Sequence, residues 1–154
     1  MKIIKATKKH IPKIISLIDA IYQEYGYRVN TNKYDRDLLD IEKFYFQKKG
    51  QFWILVNKKE IIGTIAIKPE NNTIIIKRFY LHKKFRGTGL ADKLFAKAIK
   101  YAKKQGYEKI ILFSDTKFKR AHNFYKKKNF NCIAVIKKND ADIPYSECLF
   151  YSKI

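Results

Sequence analysis

Residues 73–104 constrain the chain most. An apolar run, Ile74-Ile75-Ile76 followed by Phe79-Tyr80-Leu81, leads into the short basic loop His82-Lys83-Lys84-Phe85. Arg86-Gly87-Thr88-Gly89-Leu90-Ala91 comes next. From there Leu90, Ala91, Leu94, Phe95, Ala98, Tyr101 and Ala102 recur at helical spacing, on one face. The order is strand, glycine loop, helix N-terminus, and that order makes an anion site. The first amides of a helix have no intrahelical partner, and the helix dipole places partial positive charge there. Glycines let backbone N–H groups approach a phosphate with no Cβ in the way.

The spacing narrows the choice of anion. Nothing in the chain has the glycine, lysine and hydroxyl spacing of a phosphate-binding P-loop. A dinucleotide fingerprint needs a third small residue, and Asp92 follows Ala91 instead. What does fit is Gln or Arg, two residues, Gly, one residue, then Gly or Ala: Arg86, Gly89 and Ala91. This resembles the acyl-CoA pyrophosphate loop of the GNAT superfamily of N-acetyltransferases.

A chain of 154 residues is one ordinary domain, and 1–154 is read as such. Hydrophobic content of 46% argues against disorder. No apolar run approaches the length of a membrane span, and Met1-Lys2-Ile3-Ile4-Lys5 turns polar too early for a signal peptide. Cys132 and Cys148 are too few for a disulfide scaffold or a zinc cluster, so a cytoplasmic protein with reduced thiols and no metal is expected. The 34 Lys and Arg outnumber the 14 Asp and Glu, giving a formal charge of +20. Such a field attracts polyanions, whether nucleic acid or an anionic cofactor. The lysines are spread over nearly every element, however, and the aromatics follow core periodicity. A nucleic-acid-binding module is therefore kept only as an alternative.

Along the chain, Lys2 to Ala6 reads as a strand. Thr7 precedes a helix whose face is Ile11, Ile14, Ile15, Ile18, Ile21, Tyr22 and Tyr25, ended by Gly26. A second helix is expected over Tyr34 to Gln47, acidic in its first half through Asp35, Asp37, Asp40 and Glu42. Three strands joined by tight turns follow, 52–56, 61–68 and 73–81, an antiparallel meander. After the loop and its helix, closed by Gly106, come a strand at 109–114, a helix at 119–128, and strands at 130–136 and 147–151. The strand at 109–114 follows a helical crossover, so it should lie parallel to the strand ending at Leu81.

This order resembles the GNAT fold over essentially the whole chain. Two local matches add to the loop. Phe52 to Val56 with Ile62-Gly63-Thr64 looks like the family's paired strands. Ala121-His122-Asn123-Phe124-Tyr125, leading to Asn129-Phe130, looks like its late helix segment. The resemblance implies an α/β (α+β) fold: a mixed central sheet of about six or seven strands, about four helices, and splayed parallel central strands. It implies acetyl-CoA as cosubstrate, a primary amine as acceptor, and direct attack of the amine on the thioester in a ternary complex. A GNAT-like protein that binds acyl-CoA without catalysis is the alternative. The protein would be a monomer or a homodimer.

Residue by residue, the resemblance assigns cofactor binding to Arg86, Gly87, Thr88, Gly89, Leu90 and Ala91. It assigns pairing with the pantetheine arm, and an oxyanion N–H, to Phe79, Tyr80 and Leu81. Tyr125 would protonate the departing thiolate, a phenol near pKa ~10 facing a thiol near ~8.5. Two positions depart from the family pattern. Asn129 stands where Gly is usual, and Phe118 where a cofactor-touching Asn is usual. The strand glutamate that serves many relatives as base is also missing, since Ile74, Ile75 and Ile76 occupy its place. Glu24, Glu70, His82, Asp115, His122, a water relay or no dedicated base at all remain open for that role. In the family, acceptor choice lies with the first two helices and the last hairpin, so the acids at 35–40 either greet a cationic amine or complement a helix dipole.

Overall fold

A computed structural model describes all 154 residues. The first strand, β1 (Lys2–Lys5), leads through a short turn into α1 (Ile11–Gln23). Thr7 and His10 cap the entry reciprocally, with the Thr7 amide donating to His10 Nδ1 at 3.0 Å. Ile14, Leu17, Ile18 and Ile21 form the buried stripe of α1, and Gly26 turns the chain away at φ +78°.

The helix expected at 34–47 does not form as one piece. A 3-10 turn at Arg36–Leu38, the single-turn α2 (Ile41–Phe44) and a second 3-10 turn at Phe46–Lys48 take its place. The cause is local. Asp40 caps α2 by accepting from the Lys43 amide at 3.0 Å. Asp35 and Asp37 both bind one arginine, Arg78. Residues two apart on a straight helix do not face the same way, so a continuous helix could not deliver both carboxylates to it.

The strands β2 (Gln51–Asn57), β3 (Glu60–Glu70) and β4 (Thr73–Leu81) form the antiparallel meander. A crossover through α3 (Leu90–Lys104) returns the chain to β5 (Lys109–Asp115). Then α4 (Lys119–Lys127), β6 (Asn131–Lys138) and β7 (Tyr145–Lys153) complete it. The seven strands run β1-β2-β3-β4-β5-β7-β6, with only the central β4–β5 pair parallel. This is the expected mixed sheet.

Alternation along the strands builds one core on each face of the sheet. Trp53, Leu55, Ile65 and Ile67 pack under α3 and α4. Phe52, Ile54 and Ala66 pack under α1 and the broken segment. At Gly63 the Leu94 side chain of α3 presses on the strand: a Cβ there would lie 2.8 Å from Leu94 Cδ1. Asn129 takes the place of the usual glycine at φ +65°, a conformation asparagine tolerates.

Two irregularities position the site. First, β4 and β5 pair only from Thr73 to Ile76 with Lys109 to Leu112. Beyond that β4 continues to Leu81 and β5 to Asp115 unpaired with each other, so the strands splay as expected. Second, Lys77 opposes Ala66 while Tyr80 opposes Thr64, which leaves an extra residue in β4. Arg78 sits in this bulge at φ +52°, and its carbonyl accepts from Thr64 Oγ1 at 2.7 Å. Cys132 and Cys148 are both free thiols. No helix is long and apolar enough to cross a membrane.

Candidate active site

The splay opens a cleft of about 1100 Å³ between the two strand ends. One end of it is the glycine loop. Gly87 and Gly89 both take the left-handed conformation, at φ +77° and +78°, and Gly89 lies at the N-cap of α3. The amides of Gly87, Thr88, Gly89, Leu90, Ala91 and Asp92 donate to no acceptor in the protein. Unpaired N–H groups in a row at a helix N-terminus form an anion cradle. Thr88 Oγ1 braces the loop by donating to the Phe85 carbonyl at 2.5 Å.

Arg86 plays a different part from its neighbours. Its guanidinium makes a two-pronged ion pair with Glu24 at 2.7 and 2.9 Å, and its Nε donates to the Leu81 carbonyl at 3.1 Å. Its own amide is bonded to Lys83 O. The side chain therefore ties the loop to the end of α1 rather than facing an anion. The free guanidinium here is Arg120, whose Nη2 lies 3.6 Å from where a Gly87 Cβ would be and which makes no ion pair. Asp92, an acid in the first turn, is neutralised by Lys128 at 2.5 Å.

Past the loop, Phe79, Tyr80 and Leu81 line the cleft along the unpaired edge of β4. Their side chains alternate. Phe79 packs toward α3 and α4, with ring centroids 5.5 Å from Phe124 and 6.3 Å from Tyr125. Tyr80 turns to the α1 face and donates to Tyr22 Oη at 3.3 Å. Tyr125 is buried among Phe79, Phe130 and Phe150, yet it lines the cleft and its hydroxyl has no hydrogen-bond partner in the protein. Burial raises its pKa well above that of a free phenol, so it stands neutral as a donor. Phe118 stacks on Tyr25 at 4.5 Å and walls the cleft against α1.

The other arm lies on the α1 face. The Arg78 guanidinium is buried there between Asp35 and Asp37, bonding also to Tyr22 Oη at 3.1 Å. Burial pushes the Asp37 carboxyl up, but Arg78 outweighs it and the net shift is downward. The acids at 35 and 37 thus serve neither a helix dipole nor an open acceptor surface: they hold Arg78. Asp115 ends β5 inside the cleft, accepting from Tyr27 Oη at 2.7 Å and from the Lys117 amide at 2.8 Å. Glu147 on β7 pairs in register with Asp115 and also lines the cleft. Burial raises its pKa, and Asp140 and Asp115 add to the rise, while Lys138 opposes it.

These positions sort the acids and histidines named from the sequence. Glu24 is taken by Arg86. Glu70 ends β3 beside the β3–β4 turn, at the paired end of the central strands. His82 Nδ1 accepts from the Lys84 amide at 3.2 Å and caps a turn. His122 is buried, its Nε2 without a partner, and burial lowers its pKa. Asp115 alone of the set faces the cleft. Glu147, Arg78 and Arg120 were not singled out from the sequence. Glu147 lies in no motif, and only its register with Asp115 reveals it.

Comparison with known proteins bears on the same elements. The profile of the acetyltransferase (GNAT) family matches residues 14–130. The chain belongs to this family. An acetyltransferase of the GNAT family from Staphylococcus aureus Mu50 is 26% identical and superposes with a TM-score of 0.81 over 99% of this chain and 98% of its own. An acetyltransferase from Streptococcus agalactiae 2603 is 25% identical, with a TM-score of 0.85 over 99% of this chain and 98% of its own. Human N-acetylaspartate synthetase is 30% identical over 97 residues, 61% of this chain and 32% of that protein. The chain spans about a third of the length of such relatives.

Proposed function

We propose that this chain transfers an acetyl group from acetyl-CoA to a primary amine by direct attack within a ternary complex. The observation that carries the reading is the run of unpaired amides from Gly87 to Asp92, opening into the cleft between splayed strands. That cradle fits a pyrophosphate, and Arg120 beside Gly87 fits a further phosphate oxygen. The unpaired edge of β4 at Phe79 to Leu81 offers backbone groups to an extended amide arm, as one strand offers them to the next. Acetyl-CoA supplies the activated acyl group. The amine nitrogen bonds to the carbonyl carbon, the carbon–sulfur bond breaks, and the thiolate leaves.

The chain's residues carry the proton traffic. An amine is mostly charged at neutral pH and must lose a proton to attack. Glu147 takes that proton, directly or through a water shared with Asp115, because a carboxylate with a raised pKa is a stronger base than an ordinary one. Tyr125 donates its O–H to the leaving sulfur. With its pKa raised, it stabilises the thiolate chiefly as a hydrogen-bond donor, and the proton released by the amine settles the charge. An amine panel with acetyl-CoA, followed by release of free thiol, tests the reading. Turnover with at least one amine is expected. Stabilisation by CoA with no thiol release from any amine would favour the non-catalytic alternative.

A further inference from the structure

The two ends of the cleft carry opposite free charge. At the glycine loop the uncommitted groups are basic, Arg120 and Lys127. On the α1 face carboxylates outnumber the one lysine without an ion pair, Lys77, whose charged form burial disfavours. Asp115 and Glu147 stand side by side across the β5–β7 pair, and Asp142 reaches in from the loop between β6 and β7. The guanidinium groups of that arm are already spent, Arg28 on Asp19 at 2.9 Å and Arg78 on Asp35 and Asp37. Lys33 and Lys138 approach Asp142 and Glu147 only at 3.5 and 3.9 Å, through stems that solvent reaches. Such pairs contribute little and are easily exchanged for another cation.

Aromatic rings complete the arm. Tyr25, Tyr27, Tyr34 and Tyr145 line it. Two are bonded to its acids: Tyr27 Oη to Asp115 at 2.7 Å, and Tyr34 Oη to Asp142 at 3.4 Å. The rings also accept cations as they stand, since Lys117 Nζ lies 4.8 Å over the centroid of Tyr27. At the inner end of the cleft stands Tyr125, a residue nine-tenths buried whose hydroxyl opens onto the cleft and has no partner in the protein. The acids are therefore not a stray surface cluster. They line a cavity that ends on an unpaired polar group.

Resting on the transferase reading above, we infer that the acceptor carries a second positive charge beside its reacting amine, as a di- or polyamine does. The reacting nitrogen sits by Glu147 and Asp115, and the second ammonium sits between Asp142 and the tyrosine rings. An acidic amino acid would bring its own carboxylates against those of the arm, with the arm's two arginines already neutralised. The chain's charge of +20 makes the choice sharper. Its overall field repels polycations, so a polyamine held here is held by local contacts within about a Debye length, ~10 Å at 0.1 M salt.

The test is calorimetric titration of spermidine, putrescine, n-butylamine and aspartate into the protein saturated with CoA, with thiol release from acetyl-CoA measured alongside. Spermidine and putrescine should bind at least about tenfold more tightly than n-butylamine, and aspartate should give no binding. Asp142→Asn should weaken spermidine severalfold while the thermal stabilisation by CoA persists. Binding of aspartate, equal binding of putrescine and n-butylamine, an unchanged spermidine affinity in Asp142→Asn, or no binding of any amine would each overturn the inference. Spermidine bound in an Asp142-dependent way without thiol release would leave the cation site standing and remove the transferase reading. Thiol release with aspartate alone would do the reverse.

Discussion

Glu147 shows how much a single side chain can depend on its setting. In the unfolded chain it is an ordinary carboxyl near pKa ~4.3, and in the fold burial raises it. If it is the base, kcat/KM rises with pH as Glu147 ionises, and the acid limb lies above the ordinary carboxylate range. Glu147→Gln should remove that limb and lower kcat by about 100-fold or more, the usual worth of a positioned base. The same shift has a stability sign. The folded state holds the Glu147 proton to higher pH than the unfolded state does, so stability falls as pH rises from the unfolded value through the folded one. Glu147→Gln should therefore melt higher than wild type near neutral pH, and the gain should vanish below about pH 4. A melting comparison across pH checks this. Nothing in Ser146-Glu147-Cys148 marks the residue beforehand, because the role proposed for it rests on strand register. Tyr125 differs, since its place four residues before Asn129 announces it.

At the scale of elements, the bulge in β4 and the broken segment at 36–48 form one device. Arg78 leaves the bulge and fixes Asp35 and Asp37, which shapes the wall of the arm proposed to take the acceptor. Arg78→Met would leave two buried carboxylates without their counter-charge, with only neutral donors from Tyr22, Asn30 and Tyr45. A loss of about 3–5 kcal/mol in denaturant unfolding is expected, and Arg78→Met with Asp35→Asn and Asp37→Asn should recover part of it. An unchanged midpoint in the single variant would show the cluster to be incidental. The helix expected at 34–47 failed for the same reason: its apolar spacing is helical, but the spacing of its acids answers to a residue some forty positions away. The left-handed glycines and the helix start at 87–90, by contrast, were legible because that geometry is local. Gly89→Asp places a carboxylate and a strained left-handed residue in the anion cradle. Thermal stabilisation by CoA should disappear, while the far-ultraviolet circular dichroism stays native. A retained shift would put the cofactor elsewhere.

For the whole molecule, the order of elements, the antiparallel meander and the parallel central pair were readable from hydrophobic periodicity and one crossover, whereas the place of β7 between β5 and β6 and the core on each face emerge only in the structure. The splay that makes the sheet functional was expected only through resemblance, because no single residue encodes where two strands stop pairing. It places the anion cradle on one arm of the cleft, the carboxylates on another, and Tyr125 at its buried inner wall. The central claim is that this inner wall is where the acyl group changes hands. Steady-state thiol release by Tyr125→Phe is the most direct measurement of it. The substitution removes one oxygen and keeps the ring among Phe79, Phe130 and Phe150. The account predicts a fall in kcat of roughly 10- to 1,000-fold, little change in KM for acetyl-CoA, and full stabilisation by CoA. Turnover at the wild-type rate across the pH range would make Tyr125 a core residue and contradict the account.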